Sequence, residues 1–343
     1  MKLFSFFTQE LAIDLGTANT LIIQNGEVVV DEPSIVAIDR RTQEVIAVGT
    51  RAMQMHEKTH EHIKTVRPLK DGVIADFQAA ENLIEGLINM IDSRKSFFTH
   101  LRMVICIPSG ITEVEKRAVF DSADHVDSKE TYLIHEPLAA ALGIGLNVEE
   151  PEGNMIIDIG GGTTEIAVIA LSGIVTDQSI RTGGDEFTSD IVNYMRREHN
   201  LLIGERTAEN IKIKIGSALE ELDEPPGDIP VNGRDLMTGI PKQRIISYQE
   251  IATCIDKSIS KIEEAILKAL EATPPELAAD IFRKGLYLTG GGAALRGLDK
   301  RISMKTKLDV HVPDDPLRAV VIGTGIALEN IGKFSFLIDR KNV

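Results

Sequence analysis

One eight-residue phrase occurs twice in this chain. Ile13 to Thr20 reads IDLGTANT and Ile157 to Thr164 reads IDIGGGTT, with Asp14, Gly16 and Thr20 recurring as Asp158, Gly160 and Thr164. In each copy an apolar run (Leu11 to Leu15; Met155 to Ile159) enters a turn of small residues and leaves it through a second apolar run (Leu21 to Ile23; Ile166 to Leu171). That order predicts a strand, a glycine turn and a returning strand, so each copy is a β-hairpin. Small residues at the turn let backbone N–H groups converge on one concavity, which suits phosphate oxygens. An aspartate ending each leading strand sets a carboxylate on either side of that phosphate chain. Carboxylate and phosphate repel, and a Mg²⁺ ion with its water shell between them removes the conflict, so Asp14 and Asp158 are candidate metal residues acting through water. Either hairpin alone could equally be plain structure. The shared spacing of Asp, Gly and Thr favours a facing pair on two facing domains.

The length, 343 residues, exceeds what one hydrophobic core usually holds, which also argues for two lobes. A formal charge of −15 argues against a nucleic-acid partner, because binding phosphate backbones needs a basic surface. Cys106 and Cys254 lie far apart in apolar stretches and are expected to be buried free thiols of a reducing compartment, the cytoplasm. No run approaches the ~18 apolar residues of a transmembrane helix. The first residues hold Leu3, Phe4, Phe6 and Phe7, although the chain has only 11 Phe and no Trp. They could pack as a leading strand, but a strand already begins near Leu11, so a short membrane-surface anchor is the alternative.

Along the chain, Val28 to Val30, Ser34 to Ile38 and Val45 to Val48 are expected strands, and Arg51 to Arg67 a polar surface helix ending before Pro68. His56-Glu57-Lys58-Thr59-His60 matches the zinc-protease pattern, in which two histidines one helical turn apart hold Zn²⁺ and the glutamate activates water. Its charged flanks and the closeness of His62 favour a solvated helix instead. Leu83, Leu87, Ile88 and Ile91 recur at helical spacing, and Thr112 with Glu115 forms a capping box. Glu136 opens an alanine-rich helix where a carboxylate is favoured by the dipole. Thr207 is the expected cap of a helix carrying Glu209 and Lys212 on one face. Pro225 to Arg244 suggests a small hairpin subdomain. Ser247 and Glu250 cap a long helix with an apolar stripe from Ile251 to Leu270. Gly290 to Ala293 forms a turn opening a helix, and Arg318 to Ile331 forms a closing helix.

The stretches LAIDLGTANTLI, RPLKDGVIADF, EPLAAALGIGL, IDIGGGTTEIAVI, IGERTAENIK and LTGGGAALRGLD follow one another along nearly the whole chain. Together with the paired hairpins they resemble the actin, sugar-kinase and heat-shock-chaperone ATPases and, among these, the MreB family of bacterial actin homologues. The resemblance implies an α/β, actin-like ATPase fold of two lobes, each built on a ribonuclease-H-like mixed sheet, with the nucleotide in the cleft. It implies a first large subdomain from 1–32, 67–143 and 315–343, and a first small one from 33–66. The second lobe would comprise 144–181 with 246–314, and a small subdomain at 182–245.

ATP or ADP with Mg²⁺ is the implied cofactor. The phosphates would meet Gly16, Thr17, Ala18 and Asn19 of the first turn and Gly160, Gly161, Gly162 and Thr163 of the second. Gly183 and Gly184 would approach the ribose or phosphates, Glu209 and Lys212 the adenosine end, and Gly290, Gly291, Gly292 and Ala293 the adenine. Glu136 matches the residue that orients the attacking water in MreB and actin, with Thr163 assisting. Thr188 departs from the family, whose members often carry an acid there. Phe97 and Phe98 match a hydrophobic membrane loop that would cooperate with the N-terminus. The implied function is ATP hydrolysis serving the turnover of membrane-associated filaments that determine rod shape. The implied partners are further copies of the chain, the inner face of the cytoplasmic membrane, and cell-wall synthesis and adaptor proteins. A small-molecule kinase of the same superfamily is the alternative, although no catalytic carboxylate beside a sugar pocket stands out. Neither GxxxxGK[ST] nor GxGxxG is present.

Overall fold

Both repeated phrases fold as antiparallel hairpins. In the computed structural model, which describes residues 8–91, 100–335 and 338–340, strand Thr8–Leu15 pairs with Asn19–Gln24, setting Asp14 opposite Leu21 and Leu15 opposite Thr20. Strand Asn154–Ile159 pairs with Thr164–Ala170, setting Asp158 opposite Glu165 and Ile159 opposite Thr164. Every residue of this second hairpin's strands is buried, which explains their continuous apolar runs rather than an alternating pattern.

Each hairpin is the centre of a larger mixed sheet. Thr8–Leu15 pairs in parallel with His100–Ile107, which pairs in parallel with Ser128–His135; Glu27–Pro33 and Ile338–Arg340 form the edges. Asn154–Ile159 pairs in parallel with Leu286–Thr289, and Gly173–Ile180 and Val310–His311 form the edges of this sheet. In both sheets the leading strand of the hairpin lies between its returning strand and a parallel neighbour. Ligands of such sheets collect at the carboxyl ends of the strands, where Asp14 and Asp158 stand. Two three-stranded sheets accompany them: Val36–Asp39 between Val45–Val48 and Ile63–Val66, and Ile229–Asp235 between Leu201–Leu202 and Pro241–Ile246.

Two helices join the large sheets. Glu136–Gly143 follows the first sheet's Ser128–His135 and packs along Ala319–Glu329. They share one apolar cluster that takes Ala12 and Val104 from the first sheet and Ile156 and Ala167 from the second. The helices approach closely because Gly143 faces Gly323, where a Cβ would stand 2.6 Å from the carbonyl carbon of Ala139 and 2.8 Å from the nitrogen of Gly143. Gly323→Val should wedge them apart and cost about 3 kcal/mol, read as a lowered denaturation midpoint.

Several expectations are corrected. Arg51 to Arg67 is not one helix: Gly49–Met55 is helical, and the chain turns and returns as the strand Ile63–Val66. Glu57 adopts a left-handed φ of 59°, which ends the helix, so His56 and His60 do not share a helical face. Among the described residues no group of three His, Cys, Asp or Glu could hold a metal, and the zinc pattern has no site. Thr207 lies inside the helix Glu205–Ile215, whose N-cap is Gly204. Gly291–Ala294 is a 3-10 turn, and the helix that follows begins only at Leu298. Cys254 is partly exposed, whereas Cys106 is buried. The first strand begins at Thr8 rather than Leu11. Both capping boxes, Thr112 with Glu115 and Ser247 with Glu250, are present.

Candidate nucleotide site

The turns of the two hairpins meet. A Cβ on Gly161 would stand 2.6 Å from Ala18 Cβ, and one on Gly162 would stand 2.8 Å from Thr17 Oγ1 and 3.0 Å from the nitrogen of Asp71. Only glycine at these two positions lets the turns approach so closely. Each turn is also tied to its surroundings. Ser34 Oγ donates to the carbonyl of Gly16 at 2.6 Å, and the N–H of Gly72 donates to Thr17 Oγ1 at 3.0 Å. The N–H of Gly160 donates to the carbonyl of Thr163 at 2.9 Å, and those of Gly184 and Asp185 donate to the carbonyls of Gly160 (3.0 Å) and Gly161 (2.8 Å). The helix Gly184–Glu198 is thereby seated against the second turn.

A cavity of about 840 Å³ opens at this junction, large enough for a nucleotide-sized ligand. Its walls include Thr17, Ala18 and Asn19 from the first turn, Gly160, Gly161 and Gly162 from the second, then Gly184, Glu209, Lys212, Gly291 and Gly292. Lys212 Nζ is held by Glu209 Oε2 at 2.7 Å and by the carbonyl of Gly184 at 2.8 Å, which leaves a cation fixed on the wall. Gly16, Gly183, Gly290, Ala293, Thr163, Asp14, Asp158 and Glu136 do not line it. Gly290 (φ 82°) folds back on its own sheet, so that a Cβ there would stand 2.7 Å from Asp158 Oδ1.

The carboxyl ends of the strands gather acids. Burial raises the Asp14 carboxyl to about 6, against a weaker opposing hydrogen bond at 3.1 Å from the Cys106 thiol. Burial raises Asp158 to about 7, with the negative charges of Asp14 and Glu165 adding to it; a bond at 3.0 Å from the Thr289 hydroxyl opposes the rise. Glu136 is pushed well above the usual carboxylate range, first by burial and then by Glu165, Asp158 and Asp14. The charged neighbours that raise Asp158 and Glu136 are carboxylates of the same cluster. Among the described residues no three of these acids form a metal cage by themselves, and a bound cation would offset the like charges of those that ionise. Mg²⁺ fits the cluster, because this ion keeps most of its waters and takes one or two carboxylates together with phosphate oxygens rather than a full protein cage.

Sequence reasoning missed Glu165, Ser109, Cys106 and Thr289. Glu165 was recoverable in principle, since the hairpin register sets it opposite Asp158. It also missed Arg67 and His56, which line the cavity. Arg67 Nε and His56 Nε2 are the buried side-chain polar atoms that lack a hydrogen-bond partner among the described residues.

Comparison with known proteins places the chain. A family model described as MreB/Mbl protein matches residues 8–335. This chain belongs to the MreB/Mbl family. It is 46% identical over 339 residues to the cell shape-determining protein MreB of Escherichia coli K12, covering 96% of either chain. It is 44% identical over 328 residues to the cell shape-determining protein Mbl of Bacillus subtilis 168, covering 95% of this chain and 98% of that one. The crystal structure of MreB5 of Spiroplasma citri bound to AMPPNP superposes with a TM-score of 0.89 at 39% identity, covering 95% and 97% of the two chains. The ADP-bound MreB5 structure has the same score at 40% identity. A MamK double helical filament shares the fold, with a TM-score of 0.78 at 20% identity. The architecture is therefore the actin-like one.

Thr188 has a structural account in this MreB/Mbl chain. Its hydroxyl lies 2.6 Å from Glu209 Oε2 and 3.2 Å from Lys212 Nζ, bridging the ion pair on the cavity wall. An acid at this position would face the Glu209 carboxylate. The segment that mimicked a zinc motif also has a place in the MreB/Mbl fold, because it reaches across the cleft. Glu57 Oε1 accepts from the N–H of Glu205 at 3.1 Å, at the N-terminus of the helix Glu205–Ile215, and Arg67 pairs with Asp185 at 3.5 Å and with Glu205 at 3.9 Å. Leu3, Phe4, Phe6, Phe7, Phe97 and Phe98 lie outside the described residues.

Proposed function

We propose that this MreB/Mbl chain binds ATP with Mg²⁺ between its two hairpins, hydrolyses it, and uses the cycle to assemble and disassemble filaments that shape the cell. One observation carries the reading: two aspartate-ended hairpins from separate sheets touch at a cavity, with further carboxylates gathered at the same strand ends. The nucleotide-bound state of the Spiroplasma citri MreB5 structures supports it, as does the name of the relatives, cell shape-determining proteins.

In this reading Thr17, Ala18 and Asn19 hold one side of the phosphate chain with Gly16, and Gly160, Gly161, Gly162 and Thr163 hold the other. Mg²⁺, when bound, neutralises the phosphates. Asp14 and Asp158 would hold the ion through its water shell. Glu136 orients the attacking water and receives its proton, with Thr163 assisting. Lys212 and Glu209 line the adenosine end, and the Gly290 to Ala293 turn leaves room for the flat adenine ring. Gly183 and Gly184 seat the adjoining helix. The work is positioning and charge neutralisation.

The division into subdomains at 1–32, 67–143 and 315–343, at 33–66, at 144–181 and 246–314, and at 182–245 belongs to the same proposal. Each large subdomain then owns a large sheet and each small subdomain a small one. Nucleotide binding draws the lobes together and strengthens subunit contacts; hydrolysis relaxes them. Glu57 helps to hold the closed form, so Glu57→Ala should release nucleotide about two- to five-fold faster in a stopped-flow chase, the effect of one charge at a helix N-terminus.

Attachment to the inner face of the cytoplasmic membrane through residues 1–7 and the 97–98 loop, and recruitment of cell-wall synthesis and adaptor proteins, complete the proposal. Among the described residues no helix is long and apolar enough to cross a membrane. A short anchor gains strength from the many copies in a filament. Pelleting and electron microscopy with ATP on liposomes test the whole. Filaments that form with ATP and carry vesicles support it, and a protein that stays monomeric with ATP overturns it. Flotation unchanged by deletion of residues 1–7 removes the N-terminal anchor.

A further inference from the structure

Glu165 is a wholly buried carboxylate, 0% exposed, in the returning strand of the second hairpin. It accepts three hydrogen bonds: from the N–H of Ser109 at 3.2 Å, from Ser109 Oγ at 2.5 Å and from Ser179 Oγ at 2.6 Å. Ser179 stands beside it on the neighbouring strand of the same sheet. Ser109 lies in the turn just beyond the end of His100–Ile107, a strand of the other sheet. A buried carboxylate that accepts three hydrogen bonds, two of them from a residue beside the opposite sheet, is a directional link.

That link continues to the proposed catalytic group. Pro108, next to Ser109, offers its carbonyl to His135 Nδ1 at 3.3 Å, and His135 immediately precedes Glu136. On its other side Glu165 lies opposite Asp158 and one residue beyond Thr164, so it shares a strand pair with the second phosphate turn. We propose that Glu165 is a positioning residue which, through Ser109, fixes Glu136 of one sheet relative to the phosphate turn of the other. The inference rests on the reading of Glu136 given above. A displacement of about 1 Å between water-orienting group and phosphate is enough to cost roughly 100-fold in rate, so a pin of this kind governs turnover without touching the nucleotide.

The test is steady-state phosphate release and the affinity for a fluorescent ATP analogue, measured on Ser109→Ala, Glu165→Gln, the double variant, Ser109→Thr and Glu136→Ala. Expected are a fall in kcat of about tenfold or more for either single variant with KM and affinity within about twofold, near wild-type turnover in Ser109→Thr, and no further loss in the double variant, as for partners in one interaction. Ser109→Ala carries the test if Glu165→Gln does not fold. Wild-type kcat in Ser109→Ala while Glu136→Ala has lost turnover overturns the pin alone. Losses that add in the double variant, or that fall on KM and affinity rather than kcat, also overturn it. Wild-type turnover in Glu136→Ala overturns the reading beneath it and the pin with it.

Discussion

Glu136→Ala is expected to bind ATP as the wild type does and to lose phosphate release by about 100- to 10,000-fold, the range of a removed acid–base group. Glu136 opens the helix that leaves the first sheet and does not line the cavity, so its truncation is expected to spare nucleotide binding. Burial and three neighbouring carboxylates push its proton affinity well above that of a free glutamate. A carboxylate with raised proton affinity is a stronger base once it is ionised. Parallel measurement of analogue binding and of released phosphate separates the two effects. Hydrolysis at the wild-type rate would remove Glu136 from its role.

The second large effect is expected at the aspartates. Asp14→Ala or Asp158→Ala should abolish most of the Mg²⁺-dependent part of nucleotide affinity while sparing the metal-independent part, as measured by calorimetry with and without the ion. Wild-type affinity should itself depend on pH. The carboxyl of Asp158 titrates near 7 and that of Asp14 near 6 in the nucleotide-free protein, so the Mg²⁺-dependent affinity should weaken as pH falls through 7 and then 6. Linkage gives the complementary sign for stability. Both folded-state values lie above the unfolded value of 3.8, so these groups contribute stability that is complete below 3.8 and lost as pH rises through about 6 and 7. Mg²⁺ with nucleotide should therefore raise the melting midpoint more at pH 8 than at pH 5.5, and Asp158→Asn should flatten that difference. A midpoint gain that is equal at both pH values would count against a cation between these carboxylates.

The hairpins were legible because their signal is local and repeated: Asp, Gly and Thr at one spacing between apolar runs. The capping boxes at Thr112 and Ser247 were legible for the same reason. The segment from Arg51 to Arg67 misled, since its polar composition suits a solvated helix and nothing in it announces the left-handed Glu57 that breaks it. Thr207 resembles a cap, but Glu205 and Arg206 extend the helix towards Gly204, where Glu57 from across the cleft supplies a carboxylate. The link from Glu165 to Ser109 joins residues 56 positions apart, and the bond from Cys106 to Asp14 residues 92 apart; such pairings exist only once the sheets are assembled. Sequence could locate the acids at the strand ends. It could not show which hydroxyls and thiol would surround them.

The crossing of Glu136–Gly143 over Ala319–Glu329, with Gly143 against Gly323, has a mechanical consequence. Backbones in such close contact resist sliding, so a relative motion of the two halves would be a tilt about this fulcrum. Displacement then grows with distance from it. In the proposed nucleotide cycle, a small change at the phosphates would be magnified away from this fulcrum, at the cavity wall where Glu57 meets the backbone of Glu205.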